Sequence, residues 1–226
     1  MTKFTFATEE GGFDDHIEKS VRGYLDLCSD VLKFSKYFVE DGTTVVDIGC
    51  STGKMLRAMK EQNDKFAPGC IYKGIELEED FFPLLGDSEN LSFVKGDIRS
   101  FDWAVGARNC SLVISLFTLQ FIPKRDRQLI VNRIYQALSK GGSFIFSEKI
   151  LSDAAQFEEM MTFCYYDWKK RNFDGSQILK KEEELRHMMK PLRKQELLVM
   201  LEEAGFREYQ TFWQNFNFIG IIALKS

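Results

Sequence analysis

Residues 45–56 have the sequence VVDIGCSTGKML, in which an apolar, β-branched run meets an acid, a glycine-rich turn and the start of a helical pattern. A short apolar run of this kind before glycines is typical of a buried strand. A strand, a tight turn and a helix in this order form the first unit of many open α/β sheets. The turn therefore predicts a ligand site, and the spacing of its glycines indicates the class of ligand.

The glycine spacing disfavours a phosphate ligand. A P-loop has four residues between its glycines and a hydroxyl after its lysine, whereas three residues separate Gly49 from Gly53 and Met55 follows the lysine. The dinucleotide pattern G-x-G-x-x-G is also missing from this turn. Asp47 would repel a pyrophosphate but would attract a cationic or amine-bearing ligand.

The pattern D-x-G-x-x-x-G formed by Asp47, Gly49 and Gly53 resembles the first motif of class I S-adenosylmethionine-dependent methyltransferases. That cofactor carries a sulfonium and an ammonium group and has no phosphate. The resemblance implies that the glycines let the backbone approach the cofactor closely. It also implies that Asp47 acts on the ammonium group, directly or through water.

Two further acids end the next two predicted strands. Glu76 ends CIYKGIEL and can accept both ribose hydroxyls, while Asp97, with the backbone amide of Ile98, follows LSFVKG and can contact the adenine edge. Carboxyl ends of parallel strands meet at one edge of a sheet, so these acids and Asp47 are expected to lie together. Each acid alone could be a helix N-cap, but the order and spacing of the three favour cofactor binding.

Strand and helix patterns alternate over residues 44–150, which predicts a parallel sheet with crossover helices. Two helices are expected over 13–38, and a helical cap over 152–190 precedes a last helix and two tail strands. We predict an α/β, Rossmann-like class I methyltransferase fold with a mostly parallel seven-stranded sheet, in a single domain over 1–226. The helix before Gly141 is expected to end at that glycine.

Most of the chain beyond residue 13 is similar to one branch of this superfamily, the carboxy-S-adenosylmethionine synthases. That family converts S-adenosylmethionine and prephenate into a carboxylated cofactor used in tRNA wobble-uridine modification. In it, the tyrosine that corresponds to Tyr24 reaches the amino-acid end of the cofactor. The similar stretches are KSVRGY (19–24), VVDIGCSTG (45–53), GDIR (96–99), FTLQFIP (117–123), RQLIVNRIYQAL (127–138), SEK (147–149), LEEAGF (201–206) and FWQNFNF (212–218).

The motif and the family resemblance together give a set of predicted cofactor-binding residues. They are Tyr24, Asp47, Gly49, Cys50, Ser51, Gly53, Glu76, Leu77, Asp97, Ile98, Ser115 and Leu116.

Two positions depart from the family pattern. Leu116 replaces an asparagine, and Glu182 falls near the arginine that pairs with the extra carboxylate. A glutamate repels a carboxylate, although Lys181 or Arg186 could replace the arginine. The expected cofactor is therefore S-adenosyl-L-methionine or S-adenosylhomocysteine, and carboxy-S-adenosylmethionine is disfavoured.

The catalytic groups are less well defined by the sequence. The candidates are Tyr24, Thr118 and Gln120, for which a core aromatic role and strand-end caps are the structural alternatives. Glu148 and Lys149 are predicted to form an ion pair at the rim of the sheet.

Composition limits the partners. The 226 residues carry 30 Lys and Arg against 34 Asp and Glu without a basic run, so nucleic-acid binding is not indicated. Scattered cysteines without a CxxC pair disfavour a metal site and fit a reducing cytoplasm. No signal peptide or membrane span is expected. We therefore expect a cytoplasmic protein that acts on a small molecule, and the family resemblance implies that it is a homodimer.

Three functions stay open at this point. Methyl transfer from S-adenosylmethionine to a small-molecule acceptor is favoured. A carboxy-S-adenosylmethionine synthase and a non-catalytic S-adenosylmethionine-binding protein are the alternatives.

Overall fold

A computed structural model describes Ala7 and residues 12–226 of the chain. Its strands are β1 (Thr44–Ile48), β2 (Ile71–Glu76), β3 (Leu91–Lys95), β4 (Cys110–Leu116), β5 (Leu138–Leu151), β6 (Leu192–Arg193), β7 (Glu208–Asn215) and β8 (Phe218–Leu224). Its helices are α1 (Phe13–Ser20), α2 (Tyr24–Ser35), α3 (Lys54–Asn63), α4 (Trp103–Gly106), α5 (Lys124–Ala137), α6 (Ala155–Lys169), α7 (Gly175–Leu185) and α8 (Lys194–Ala204).

The strands form a sheet in the order β3-β2-β1-β4-β5-β8-β7, with β6 paired to the end of β5. β1 to β5 are parallel, whereas β8 runs antiparallel to β5 and β7 antiparallel to β8. The predicted α/β fold with a mostly parallel sheet is confirmed. The predicted number of seven strands is wrong, because Leu192 and Arg193 pair with Ile150 and Leu151 before α8 begins and so add an eighth strand.

Both faces of the sheet are covered by other elements. In β1, Val46 and Ile48 belong to one core, which includes residues of α5 and α8, and Val45 belongs to the other, which includes residues of α2 and α3. All residues of β1 are buried, which is typical of the central strand of a parallel sheet. The apolar run before Gly49 is therefore continuous because both faces of β1 are buried.

The C-terminus of α5 differs from the prediction. The helix ends at Ala137, short of Gly141, so the predicted glycine cap is wrong. Instead, Nζ of Lys225 donates to the carbonyl oxygens of Tyr135 at 2.7 Å and Leu138 at 2.6 Å. A lysine near the end of the chain thus satisfies the carbonyl groups at the end of the helix.

Within Ala7 and residues 12–226, no helix is long and apolar enough to cross a membrane.

Candidate functional site

The turn after β1 requires glycine at two positions. Gly49 has φ 73° and Gly53 has φ 72°, in the left-handed region that favours glycine. A Cβ atom at Gly49 would lie 2.3 Å from Oγ1 of Thr118, and one at Gly53 would lie 2.7 Å from the ring of Phe93. The missing side chains therefore let Thr118 and Phe93 pack directly against the turn, and we call this close-packed turn the glycine cradle.

Glu76 joins this turn to the end of β2. Its carboxylate is buried and accepts the backbone N–H groups of Ser51 at 2.8 Å, Leu77 at 2.8 Å and Glu78 at 2.9 Å. Burial raises the pKa of Glu76, and the three N–H donors partly offset this increase. A carboxylate has about four lone-pair positions, so contact with both ribose hydroxyls requires a shared or displaced N–H group.

Asp47 lies buried at the end of β1, next to Glu76. Burial, together with the charge of Glu76, raises the pKa of Asp47 to about 8. A bound ammonium group would favour the ionised form of this carboxylate, because opposite charges stabilise each other at short range. The buried acid therefore fits a cationic ligand.

Asp97 is held by Arg99 just after β3. Nε of Arg99 lies 2.9 Å and Nη2 lies 2.5 Å from Oδ2 of Asp97, and the backbone N–H of Arg99 donates to Oδ1 at 2.9 Å. The guanidinium group lowers the pKa of Asp97. Asp97 is thus an ionised acceptor whose orientation is fixed before any ligand binds.

A cavity of about 750 Å³ lies at the carboxyl ends of β1 to β4. The predicted residues that line it are Gly49, Ser51, Glu76, Leu77, Asp97, Ile98, Leu116, Thr118 and Gln120. The other predicted residues, which lie outside this lining, are Tyr24, Asp47, Cys50, Gly53 and Ser115. That these residues bind the cofactor stays a prediction, but most of them meet at one cavity.

Tyr24 opens α2 directly behind the cavity wall. Its ring lies 6.3 Å from that of Phe117, which does line the cavity. Burial raises the pKa of Tyr24, and a hydrogen bond with Cys28 contributes in the same direction. Its neutral hydroxyl is therefore a hydrogen-bonding group and not a base at neutral pH.

The sequence anticipated a second half of the cavity only through Lys181, as a possible replacement for the arginine of the family. The wall of this half includes the basic side chains Lys169 of α6, Lys181 of α7, and His187 and Lys190 of the segment that follows. Lys169 is buried, and its Nζ lies 5.5 Å from the ring centre of Tyr165. Lys181 lies in a segment of mixed charge, and tertiary packing places this lysine at the cavity.

Glu182 and Glu148 differ from their expected surroundings. Glu182 faces Lys149, with Oε1 3.9 Å from Nζ, whereas its neighbour Lys181 lines the cavity. The predicted rim ion pair between Glu148 and Lys149 is wrong, because adjacent side chains of a strand point to opposite faces. Glu148 is instead fully buried, and Arg127 supplies the nearby opposite charge.

Comparison with known proteins agrees with this geometry. Residues 20–211 match a family model described as a methyltransferase domain. The structure of human N-acetylserotonin methyltransferase in complex with S-adenosylmethionine superposes with a TM-score of 0.58 at 17% identity, over 88% of this chain and 51% of that one. The fold is that of S-adenosylmethionine-dependent methyltransferases.

Two curated relatives match along nearly their full length. The chain is 35% identical over 231 residues to the carboxy-S-adenosyl-L-methionine synthase of Staphylococcus epidermidis, covering 99% of this chain and 97% of the relative. It is 31% identical over 235 residues to the synthase of the same name from Shewanella oneidensis, covering 100% and 94%. The chain belongs to the methyltransferase domain family, in the branch that contains these synthases. It is a transferase, and its cofactor is S-adenosylmethionine.

Proposed function

We propose that the protein transfers the methyl group of S-adenosylmethionine to a small anionic acceptor bound in the basic half of the cavity. One observation carries this proposal, which is the separation of charge within the cavity. The lining acids Glu76, Glu78 and Asp97 follow β2 and β3. Four lining basic groups come from α6, α7 and the segment before β6, while His16 of α1 and Arg99, which pairs with Asp97, are the other basic residues of the lining. A cationic cofactor suits the first half and an anion suits the second.

The cofactor supplies a methyl group that its own sulfonium activates, so the protein mainly positions the reactants and excludes water. Gly49 and Ser51 would hold the amino-acid part, and Glu76 and Asp97 the adenosine part. Thr118 packs against Gly49, at the boundary between the glycine turn and the loop that follows β4. Aromatic side chains such as Phe117 and Phe218 line the cavity and limit the access of water.

Carboxy-S-adenosylmethionine synthesis is the second candidate. The names of the relatives favour it, and so does the position of Lys181, which can bind a carboxylate while Glu182 faces Lys149. Leu116, which lines the cavity without a side-chain hydrogen-bonding group, favours plain S-adenosylmethionine instead. A role in tRNA modification would follow only from the second candidate.

A turnover assay separates the candidates. Purified protein is incubated with S-adenosylmethionine and a panel of small carboxylic acids, and S-adenosylhomocysteine is measured; matched amides of the same acids are the control. Methyl transfer predicts S-adenosylhomocysteine together with a methylated acid, and no product from the amides. A parallel reaction with prephenate that yields carboxy-S-adenosylmethionine would instead establish the synthase. Tight cofactor binding without either product would indicate a binding protein.

We also infer that the protein is a cytoplasmic homodimer. The exposed face of α6 carries Phe157, Met160 and Phe163, each more than half exposed. A large apolar patch on one helix is typical of an interface between protein surfaces. Light scattering should give twice the chain mass for the wild type and the monomer mass for the Phe163→Glu variant; a wild-type monomer at micromolar concentration contradicts the inference.

A further inference from the structure

The loop Phe117–Ile122, which follows β4, forms the cavity wall next to the glycine turn. Phe117, Thr118 and Gln120 all line the cavity. Phe117 has φ 58°, in the left-handed region that an aromatic residue adopts only when its surroundings impose it. The contacts behind the loop show what imposes this conformation.

Two buried charged side chains bind the backbone of this loop from behind. Arg127 of α5 donates from Nε to the carbonyl oxygen of Ile122 at 2.8 Å and from Nη2 to that of Gln120 at 2.9 Å. Glu148 of β5 lies beside the backbone N–H groups of Leu119 and Gln120, which act on its pKa, and its Oε1 has no hydrogen-bond partner among the described residues. Arg127 is 1% exposed and Glu148 is 2% exposed. The arginine thus satisfies two acceptors of the loop, and the glutamate lies beside two of its donors.

Gln120 links the loop to two further segments. Its side-chain Oε1 accepts the backbone N–H of Lys149 at 2.8 Å, and its carbonyl oxygen accepts that of Lys190 at 2.8 Å. At the other end of the loop, Thr118 packs against Gly49. The conformation of the loop therefore fixes two contacts. One joins the loop to Gly49 on the cofactor side, and the other joins it to the segment that carries Lys190.

We propose that Arg127 and Glu148 are positioning residues that hold Phe117–Ile122 in the conformation in which Thr118 and Gln120 face the cavity. Neither charged side chain belongs to the cavity lining, so both act through the loop. Burying two ionisable groups is costly, and apolar residues of similar volume often stabilise a core equally well. Their contribution is therefore the geometry of the loop. This inference rests on the proposed function only in taking the cavity as the reaction site.

Hydrogen exchange of the full-length protein tests the proposal without a known acceptor. The variants are Arg127→Met, Arg127→Lys and Glu148→Gln. Glu158→Gln is the matched control, since that carboxylate also accepts a backbone N–H, from Ser152 at 2.7 Å, outside the loop. Exchange is read by peptide mass spectrometry, and the affinity for S-adenosylhomocysteine is measured by calorimetry.

We expect Arg127→Met and Glu148→Gln to accelerate exchange in Phe117–Ile122 about tenfold or more, while β1 and β4 keep wild-type rates. The affinity for S-adenosylhomocysteine should fall about tenfold in the same variants, because the loop packs against the glycine turn. Arg127→Lys should give a smaller change, since lysine keeps the charge and part of the donor set. The Glu158→Gln control should match the wild type.

Wild-type rates of hydrogen exchange in the loop of both variants would overturn the proposal. Equally accelerated exchange across the whole sheet would also overturn it, because the two residues would then stabilise the core in general and not the loop. If Arg127→Met does not fold, Arg127→Lys and Glu148→Gln still decide the question. A wild type that binds no S-adenosylhomocysteine would contradict the proposed function, whereas the exchange rates would still test the positioning role.

Discussion

At the level of single residues, the Asp47 carboxylate should couple cofactor binding to pH. Its pKa is about 8 in the unliganded protein, so it is mostly protonated at pH 7 and ionises when an ammonium group binds nearby. The affinity for S-adenosylhomocysteine should therefore rise from pH 6 to pH 8. Asp47→Asn should bind about tenfold or more weakly, with a nearly flat profile. Calorimetry at three pH values measures both effects, and an unchanged pH slope in the variant would contradict this role.

The same carboxylate should make the unliganded protein less stable as the pH rises. Because the pKa of Asp47 is higher in the folded than in the unfolded chain, the folded state binds more protons between about pH 4 and pH 8. The free energy of unfolding should therefore fall with pH in this window, by up to about 1.4 kcal/mol per pH unit for each such group. Glu148, whose pKa is also about 8, contributes in the same direction.

Asp47→Asn should remove only the part of this pH dependence that Asp47 contributes, because Glu148 and Glu76, whose pKa values are also raised, keep their shares. Urea unfolding of both proteins at pH 6 and pH 8 measures the difference. A variant as sensitive to pH as the wild type would show that Asp47 is already ionised in the folded protein.

Gly49→Ala tests the glycine cradle. The new methyl group would meet Oγ1 of Thr118, and the backbone has φ 73°, so we expect a loss of about 1–3 kcal/mol of stability and little S-adenosylhomocysteine binding. Gly86→Ala is the control, because its Cβ would have no atom within 4 Å. Thermal unfolding and calorimetric titration provide the two measurements; near-wild-type binding by Gly49→Ala would refute the cradle.

At the level of elements, α5 depends on a contact that is distant in the sequence. Lys225→Met removes the hydrogen bonds to the last carbonyl groups of α5 and should cost about 1–2 kcal/mol. Lys140 is exposed and lies in the same region. The Lys140→Met variant should have a free energy of unfolding, measured in urea, within about 0.5 kcal/mol of the wild type. Equal free energies of unfolding for both variants would show that water replaces the hydrogen bonds of Lys225 without loss of stability.

The individual elements also show which parts of the fold could be predicted from the sequence. Strands β1 to β5 follow apolar periodicity, and the acids that end β1 and β2 could be placed because strand ends are local signals. The two-residue β6 is too short for any periodicity and depends on pairing with β5. The end of α5 was missed because Lys225 is remote in the sequence.

At the level of the whole molecule, the cavity joins a cofactor side that the sequence predicted to a basic side that it anticipated only through Lys181. The cofactor side could be read from the glycine turn and the strand ends, which lie within one segment of chain. The basic side depends on how α6 and α7 pack over the sheet, and local charge does not reveal which lysine faces inward. Likewise, Glu148 is buried near Arg127 and does not pair with its sequence neighbour Lys149.

Lys181→Met tests whether the two halves of the cavity act separately. The Michaelis constant for the carboxylate acceptor should rise about tenfold, because a charge-assisted contact is lost, while S-adenosylhomocysteine binding stays within about twofold. The neighbouring exposed Lys180→Met variant is the control and should match the wild type. An equal loss of cofactor affinity in Lys181→Met would mean that this lysine serves the cofactor and not the acceptor.

The most direct test of the central claim is to identify the small molecule that the purified protein carries. The protein is prepared without added ligand and denatured, and the released compounds are analysed by mass spectrometry. We predict S-adenosylmethionine or S-adenosylhomocysteine, which the acidic half of the cavity fits. Release of carboxy-S-adenosylmethionine instead would contradict methyl transfer and identify the protein as a synthase.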